Sequence, residues 1–526
     1  MNNNILDITL HEKVGQLFCP AAYINDTAEN IKEIENLILN HNVGGLTFFH
    51  SRTSAATNFE GKKNVVRNEN SAQRLSELIQ HYQKLSKFPL LISIDAEWGL
   101  AMRVENTPQY PYAITLGALS ECDNNLVFEV AKNIGLDLKQ LGINYNLAPV
   151  VDINDNPKNP VIGYRSFGTD ANNVTLKAIA FCNGLQQTGV LSCLKHFPGH
   201  GNTAVDSHLG LPIINKTKAE LENIELYPFA KIIQNNIVDS VMIGHLAVPA
   251  LTNGTIVSAT LSSEIIQNIL RKQFKFNGLV ISDALNMHSV SKLYSTKGVL
   301  EWKAFEAGND FLCFSENVAD GIEQIMQNAS LNKINESYER VKNLKNKIFK
   351  GKNVPDPFNY NFIKNFEKAA ILNKQIADKV VVISKNDSGL LPLQDHKKVL
   401  IINVYNSCNS VFCNQFNHRD NTEFIDIEFN SNFDNNALVN NLQNYDIVLV
   451  AFFVPSVKPL NNFEIEQSIL NLLEILFNNP KVAVCLFGNP YALDTVPNST
   501  NLKTLIYSYQ HFDAFQIATA NVLMGI

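Results

Sequence analysis

The 526-residue sequence lacks the features that mark several classes of protein. It has no block of lysine and arginine residues, and its formal net charge of -7 gives no electrostatic reason to expect a nucleic acid or an anionic membrane as partner. No window contains the roughly 18 consecutive apolar residues of a transmembrane helix. We therefore expect a protein that binds neither nucleic acid nor membrane.

The sequence also shows no C-x-x-C cysteine pair and no signal-peptide pattern in its first residues. The eight cysteines form no C-x-x-C pair and mostly lie inside apolar runs, where a free cysteine behaves as a small hydrophobic residue. Residues 1–7 carry neither the basic stretch nor the apolar core of a signal peptide. A reducing compartment is the simpler interpretation, and we expect a cytoplasmic protein.

Short apolar runs alternate with helix-like segments through the first two thirds of the chain. A hydrophobic content of 45% and a charged content of 18% are typical of a folded protein, and the length calls for at least two domains. The runs that predict strands are 14–18, 43–49, 90–94, 143–151, 190–194, 240–243, 278–281 and 310–314. Eight strands separated by helices are typical of a (β/α)8 TIM-like barrel.

A second domain is expected after the helix predicted over residues 334–349. Glycine and two prolines break the chain at residues 351–357. The apolar runs beyond this break are 379–384, 398–404, 424–429, 446–453, 481–487 and 503–507. Such runs are typical of parallel strands covered on both faces, and we predict an α/β (αβα) sandwich. The predicted organisation is a barrel domain over 1–350, a linker over 351–372 and a C-terminal domain over 373–526.

Polar residues follow the predicted barrel strands at their carboxyl ends, where such barrels build active sites. These residues are Asp95, Glu97, Asp152, Lys195, His196, His245 and Asp283. The densest stretch runs from Lys195 to His208 and packs a lysine, three histidines and an aspartate into fourteen residues. Ionisable groups at the end of a buried strand indicate a functional site.

This stretch reads Lys195-His196-Phe197-Pro198-Gly199-His200-Gly201, followed by Asp206-Ser207-His208. It resembles the KHFPGHG and D-S-H signature of glycoside hydrolase family 3 enzymes of the N-acetyl-β-glucosaminidase type. The resemblance covers nearly the whole chain, and residues 384–393 resemble the opening of the second domain in two-domain members. It implies a glycosidase, acting on peptidoglycan fragments or chitooligosaccharides, that removes terminal N-acetylglucosamine without a metal or organic cofactor.

The resemblance also implies which residues carry out the reaction. Asp283 matches the SDxLxM nucleophile motif, and a retaining glycosidase needs such a carboxylate at the anomeric carbon. The alternative for Asp283 is a helix N-cap. In family members of this type the histidine matched by His208, oriented by the aspartate matched by Asp206, is the general acid and base. The alternative for these two is a surface loop with a chance D-x-H.

Sugar-binding residues are implied in the same way at Asp95, Arg103, Arg165, Lys195 and His196. A carboxylate and guanidinium groups hold sugar hydroxyls through charge-assisted hydrogen bonds. Trp98 and Leu100 stand where the family more often has glycine and arginine, which puts the contacts beside Asp95 in doubt. For His200 and His245 a structural role is an equal alternative, and for Arg165 a place in a surface loop.

Other functions remain open from the sequence. His196, His200, Asp206 and His208 are ligand types that suit zinc, although the Pro-Gly turn breaks the helix that a paired-histidine motif would use. A carbohydrate-binding protein on an inactivated barrel is a second alternative. Within the family, a β-glucosidase or an N-acetylglucosaminide phosphorylase is a third, and the D-x-H loop favours the N-acetylglucosaminidase. Peptidoglycan recycling fits the expected cytoplasmic location.

Overall fold

Parallel strands and helices alternate through the N-terminal part of the chain. The computed structural model describes residues 8–55, 66–203, 210–349, 362–431 and 435–526. The chain divides into two compact units, the first made of Met1–Ala113 and Glu121–Ala369 and the second of Ile114–Ser120 and Ala370–Ile526.

Nine strands belong to the first unit in the described part of the chain. They are β1 Phe18–Cys19, β2 Ala21–Tyr23, β3 Gly45–Phe49, β4 Leu91–Ile94, β5 Tyr145–Asn146, β6 Cys193–Phe197, β7 Ser240–Ile243, β8 Leu279–Ser282 and β9 Leu312–Cys313. All pairings are parallel, in the orders β2-β3-β4-β5, β6-β7-β8 and β1-β9. The unit is therefore an α/β fold with parallel sheets, and closure into one eight-stranded barrel stays a prediction.

Most strands predicted from the apolar runs are confirmed, although only Tyr145–Asn146 of the run over 143–151 forms a strand. β4, β7 and β8 are buried along their whole length, as expected of strands covered on both faces. The first predicted strand, residues 14–18, is wrong, because Val14 and Gly15 end a helix over Leu10–Gly15, a turn follows, and the strand β1 begins only at Phe18. Thr9 and Glu12 form a capping box at the start of this helix and satisfy its first backbone N–H groups. The run over 190–194 also differs, since β6 continues to Phe197 and contains Lys195 and His196.

Helices precede, separate and follow these strands along the chain. They are α1 Leu10–Gly15, α2 Ala28–His41, α3 Arg52–Ala55, α4 Ser71–Leu85, α5 Ala113–Gly117, α6 Asn124–Gln140, α7 Ala171–Thr188, α8 Lys218–Asn223, α9 Leu226–Gln234, α10 His288–Ser291, α11 Val299–Ala307, α12 Val318–Asn328, α13 Leu331–Phe349 and α14 Phe362–Val380, with a π-helix at Glu264–Gln273. Short 3-10 turns lie at Leu100–Met102, Glu121–Asp123, Gly163–Arg165, Pro249–Leu251 and Ala259–Leu261. Within the described ranges, no helix is long and apolar enough to cross a membrane.

The second unit contains a six-stranded sheet. Its strands are β10 Val382–Asn386, β11 Val399–Val404, β12 Thr422–Ile427, β13 Ile447–Phe453, β14 Val482–Phe487 and β15 Thr504–Tyr507, in the order β10-β15-β14-β13-β11-β12. β10 is antiparallel to β15, and the other neighbours are parallel. Its helices are α15 Val411–Asn414, α16 Asn435–Asn441, α17 Gln467–Phe477 and α18 Asp513–Met524, with 3-10 turns at Leu442–Asn444, Asn462–Glu464, Pro490–Thr495 and Ser499–Asn501.

The core of this sheet is formed by the predicted apolar runs. Side chains of β11, β13 and β14 pack with those of α17 in one buried cluster. The run predicted over 379–384 is only partly right, because α14 extends to Val380 and the strand begins at Val382. The predicted linker lies outside the described residues over 351–361 and belongs to α14 from Phe362 onward.

Candidate functional site

The predicted site residues lie at the carboxyl ends of parallel strands. Asp95 follows β4 directly, Asp283 follows β8 directly, and His245 comes two residues after β7. Lys195 and His196 lie within β6, where the pairing with β7 changes register between Leu194 and Phe197. Such an irregularity redirects side chains, and it is common beside active sites.

Lys195 joins two carboxylates in a buried ion-pair network. Its Nζ lies 2.9 Å from Asp95 Oδ1 and 2.7 Å from Glu97 Oε1, and the lysine is only 2% exposed. Arg103 Nη2 donates to Asp95 Oδ2 at 2.9 Å. Arg165 makes a bidentate pair with Glu97, through Nε at 2.9 Å and Nη2 at 2.8 Å. Three cations and two carboxylates are thereby fixed in one arrangement, which we call the ion-pair network.

Attraction between opposite charges keeps the groups of this network ionised although they are buried. Burial opposes ionisation of the Glu97 carboxyl, but attraction to Arg165 and Lys195 outweighs it and lowers the pKa to about 2. Burial acts the same way on Asp95, and Lys195 and Arg103 hold its pKa well below the usual range. For Lys195, burial disfavours the charge, yet the two carboxylates raise its pKa. Both carboxylates and the lysine are therefore ionised at neutral pH.

Asp152 holds the segment that follows the network. Its Oδ1 accepts hydrogen bonds from the backbone N–H groups of His196, at 3.1 Å, and His200, at 2.7 Å. Its Oδ2 lies 2.7 Å from Nδ1 of His196. Burial opposes ionisation of Asp152, but the two histidines nearby and these hydrogen bonds lower its pKa. One carboxylate therefore fixes both the backbone turn and the orientation of the His196 ring.

His200 is a buried histidine beside this carboxylate. Its Nδ1 lies 2.8 Å from Thr203 Oγ1, and its Nε2 is buried without a hydrogen-bond partner among the described residues. Burial, together with His196, lowers the pKa of the imidazole to about 4, against smaller upward effects from Asp152 and Asp283. His200 is therefore neutral at pH 7.

Asp283 is held by neighbouring backbone. Its N–H donates to the carbonyl of Ile243 at 2.9 Å, and its Oδ1 accepts from the N–H of Ala284 at 2.8 Å. The next helix, α10, begins at His288 with Met287 as its cap, so Asp283 does not cap a helix. The carboxylate is partly exposed at the end of β8.

His245 supports the same turn. Its Nε2 lies 2.9 Å from the carbonyl of Ala284, and its Nδ1 lies 2.8 Å from Thr260 Oγ1. The side chain is fully buried. This is the geometry of a structural histidine that ties the end of β7 to the residue after Asp283.

The structure thus brings four of the predicted sugar-binding residues into one network and places the fifth beside it. Asp206 and His208 lie outside the described residues. Glu97 and Asp152, recognised in the sequence only as strand-end residues, prove to organise the cations and the histidines. The sequence does contain one signal for a further carboxylate. The predicted sugar-binding residues include three cations, Arg103, Arg165 and Lys195, but only one carboxylate, Asp95.

Of the four candidate metal ligands, only His196 and His200 lie among the described residues. His196 Nδ1 is bound to Asp152, and Asp206 and His208 are not described. Over the ranges that the structure describes, no three His, Cys, Asp or Glu side chains are grouped so that they could hold a metal ion.

Comparison with known proteins places the chain in a family. It is 32% identical to β-hexosaminidase A of Pseudoalteromonas piscicida over 395 residues, which are 70% of this chain and 63% of that protein. It is 31% identical over 271 residues to a β-hexosaminidase of Haemophilus influenzae (strain ATCC 51907 / DSM 11121 / KW20 / Rd), covering 51% of this chain and 75% of that enzyme.

A solved structure extends the similarity over both units. A glycoside hydrolase family 3 β-N-acetylglucosaminidase from Paenibacillus sp. str. FPU-7 matches 98% of this chain and 97% of its own, with a TM-score of 0.77 and 28% identity. The model of the glycosyl hydrolase family 3 N terminal domain matches residues 9–344. Since this match covers well over half of the sequence, the chain belongs to glycosyl hydrolase family 3.

Proposed function

We propose that the protein is a retaining exo-β-N-acetylglucosaminidase that releases terminal N-acetylglucosamine from peptidoglycan fragments or chitooligosaccharides. The observation that carries the proposal is the ion-pair network at the carboxyl ends of β4 and β6, together with Asp283 at the carboxyl end of β8. The relatives named β-hexosaminidase and the Paenibacillus β-N-acetylglucosaminidase support the choice of sugar.

In the proposed mechanism the Asp283 carboxylate attacks the anomeric carbon. The bond to the leaving oxygen breaks while His208, oriented by Asp206, gives that oxygen a proton. A glycosyl ester on Asp283 results. The same imidazole then takes a proton from a water molecule, which attacks the anomeric carbon and releases Asp283 as a carboxylate. Hydrogen bonds from Asp283 N–H to Ile243 and from Ala284 N–H to Asp283 Oδ1 hold the nucleophile at the strand end.

The ion-pair network would bind the terminal sugar. Arg103, Lys195 and Arg165 offer N–H donors and Asp95 offers acceptors, with His196 beside them. Because salt bridges already fix these side chains, little side-chain freedom is lost when a sugar binds. The mechanism needs no metal or organic cofactor.

We propose further that the first unit closes into a (β/α)8 barrel. Hydrogen bonding between Gly44 N–H and the Phe18 carbonyl supports this closure. So do the parallel pairing of β1 with β9 and the isolated parallel bridges, which join Ile281 to Phe311 and Tyr145 to Leu191. The proposed domains are 1–350 and 373–526, joined by 351–372, with an αβα sandwich as the second.

A cytoplasmic location with a role in peptidoglycan recycling is part of the same proposal. All eight cysteines are free, and six of them are buried. Free cysteines are typical of proteins from reducing compartments. The partner expected there is a small carbohydrate.

The test compares hydrolysis of p-nitrophenyl N-acetyl-β-glucosaminide with hydrolysis of the matching β-glucoside, in phosphate-free buffer containing EDTA. We expect a strong preference for the acetamido sugar that survives the chelator. Preference for the glucoside would assign a β-glucosidase, activity that requires added phosphate would assign a phosphorylase, and activity lost to EDTA would favour a zinc site.

Variants separate the two proposed catalytic roles. Asp283→Ala should abolish hydrolysis, whereas Asp320→Ala, the same change at an exposed position of α12, should not. His208→Ala should impair natural glycosides more than the nitrophenyl substrate, because nitrophenolate leaves without a proton. Full activity of Asp283→Ala would contradict the mechanism.

A further inference from the structure

The backbone that follows β6 is held by one buried side chain, Asn159. Its Nδ2 donates to the carbonyls of His200, at 2.9 Å, and Gly201, at 3.0 Å, and lies 3.3 Å from Thr203 Oγ1. The asparagine is fully buried. One amide group therefore contacts residues 200–203 at three points.

Asn159 is itself fixed in one orientation. Its Oδ1 accepts hydrogen bonds from the N–H groups of Val161 and Ile162, both at 2.9 Å. Its own backbone N–H donates to the carbonyl of Asn156 at 3.0 Å. Because Oδ1 faces donors and Nδ2 faces acceptors, the amide cannot be turned over without losing these bonds. The side chain is therefore a preorganised support for the backbone after β6.

The residues before Asn159 hold the same stretch. Asn156 Nδ2 donates to the carbonyl of Thr203 at 3.1 Å. Asn202 Nδ2 donates to Asp155 Oδ1 at 2.9 Å. The stretch is therefore bound at several points to the loop that follows β5.

Close packing leaves this stretch little room to move. A Cβ added at Gly201 would come within 1.6 Å of the carbonyl oxygen of Ile153, and only glycine is free of this clash. The backbone N–H of His200 donates to Asp152 at 2.7 Å. The contacts of Asn159 thus act on backbone that is already packed against the segment after β5.

The far end of the same connection is fixed as well. Ala247 N–H donates to the carbonyl of Pro212 at 2.8 Å, and Ile214 N–H donates to the carbonyl of Ala247 at 2.9 Å. Thr203 and Pro212 therefore both have fixed backbone positions, and His208 lies between them in the sequence.

We propose that Asn159 is a positioning residue for the proposed proton donor, His208. By fixing residues 200–203, it determines where the part of the chain that carries His208 begins. A misplacement of about 1 Å in a catalytic group can cost on the order of a hundredfold in rate. The inference rests on the proposed function, since it takes His208 as the group that protonates the leaving oxygen.

The test compares kcat/KM for two aryl N-acetyl-β-glucosaminides. A 2,4-dinitrophenolate group leaves without a proton, whereas an unsubstituted phenolate leaves slowly unless a general acid protonates it. The ratio of kcat/KM for the dinitrophenyl substrate to kcat/KM for the phenyl substrate therefore reports on proton donation. Misfolding lowers the active fraction, and a displaced Arg165 weakens sugar binding. Either change lowers both values alike and leaves the ratio unchanged.

Asn159→Ala should raise this ratio about tenfold to a hundredfold, because the proton donor is displaced while the nucleophile is not. Asn156→Ala removes the hydrogen bond to Thr203 and should raise the ratio about threefold to tenfold. Asn156 is partly exposed, so this variant carries the test if Asn159→Ala does not fold. Lys158→Ala, at an exposed position between the two asparagines, should leave the ratio at the wild-type value.

His208→Ala provides the reference, since complete loss of the proton donor sets the largest ratio. A ratio that rises in His208→Ala but keeps the wild-type value in every folded asparagine variant would overturn the positioning role and leave the proposed function intact. An unchanged ratio in His208→Ala would show that His208 is not the proton donor, and a wild-type protein that hydrolyses neither substrate would refute the proposed function. Each of these last two results also overturns the role of Asn159.

Discussion

Lys195→Met isolates the electrostatic contribution of the ion-pair network. Methionine keeps most of the aliphatic stem and removes the ammonium that joins Asp95 to Glu97 at 2.9 and 2.7 Å. Because Lys195 is only 2% exposed, water cannot replace the lost charge without a rearrangement. Each carboxylate keeps its arginine but loses its second partner.

The expected cost is large. Removing one partner of a buried ion pair usually costs about 3–5 kcal/mol of unfolding free energy. The pKa of Glu97 falls from 4.5 to about 2 through attraction to Arg165 first and Lys195 second, which corresponds to roughly 3 kcal/mol at neutral pH for both partners together. This contribution is present above the unfolded-state pKa and is lost as the pH falls from 4.5 toward 2, because the folded state then takes up the proton. The difference between variant and wild type should therefore shrink in acid.

Urea unfolding followed by tryptophan fluorescence measures this difference. The only two tryptophans, Trp98 and Trp302, belong to the first unit, so the signal reports on the unit that contains Lys195. Lys84→Met, on the exposed face of α4, is the matched control. A variant with the wild-type urea midpoint at pH 7, or a difference that grows below pH 4, would refute the electrostatic argument.

Three further predictions concern other buried groups. Burial lowers the pKa of Lys345 to about 7, so unfolding of the wild type binds a proton between pH 7 and 10.5 and its stability rises with pH there. Lys345→Met should reduce this rise by up to about 1.4 kcal/mol per pH unit. Urea midpoints that are the same in variant and wild type at both pH 7 and pH 9 would contradict this. The wild type should lose stability as the pH falls from 6.5 to 4, since burial lowers the His200 pKa to about 4, and His200→Gln should weaken that loss in thermal unfolding scans. Glu97→Gln should raise KM for p-nitrophenyl N-acetyl-β-glucosaminide on the order of tenfold by weakening the charged hydrogen bonds that hold Arg165, whereas Glu222→Gln on exposed α8 should not.

The sequence predicts the elements well where burial alone decides them. Strands β4, β7 and β8 are apolar throughout because both faces are covered, and their runs identify them within one residue. The run over 14–18 fails because Val14, Leu17 and Phe18 suit either period, and the capping box at Thr9 and Glu12 begins a helix that ends at Gly15. The capping pattern at Thr9 and Glu12, just before the apolar run, is the signal for this helix.

The site is less predictable because its partners are distant in sequence. Glu97 meets Arg165 across 68 positions, and no local pattern reports a bidentate pair. Asp152 lies six residues beyond β5, where the short strand gives no indication that a carboxylate turns back to His196 and His200. Residue types at strand ends can be predicted, whereas the pairing among them needs the fold.

Asp152 also determines which nitrogen of His196 can accept a hydrogen bond from a ligand. A carboxylate oxygen only accepts, so the Nδ1 facing it carries the hydrogen. In the neutral ring the opposite nitrogen, Nε2, then presents a lone pair, whereas the adjacent Lys195 ammonium can only donate. Of these two consecutive residues, His196 therefore offers an acceptor and Lys195 a donor. Together they can bind a hydroxyl group, which both donates and accepts hydrogen bonds. Asp152→Asn would also allow the tautomer of His196 with the hydrogen on Nε2. His196 could then donate like Lys195, although both side chains would remain on the strand.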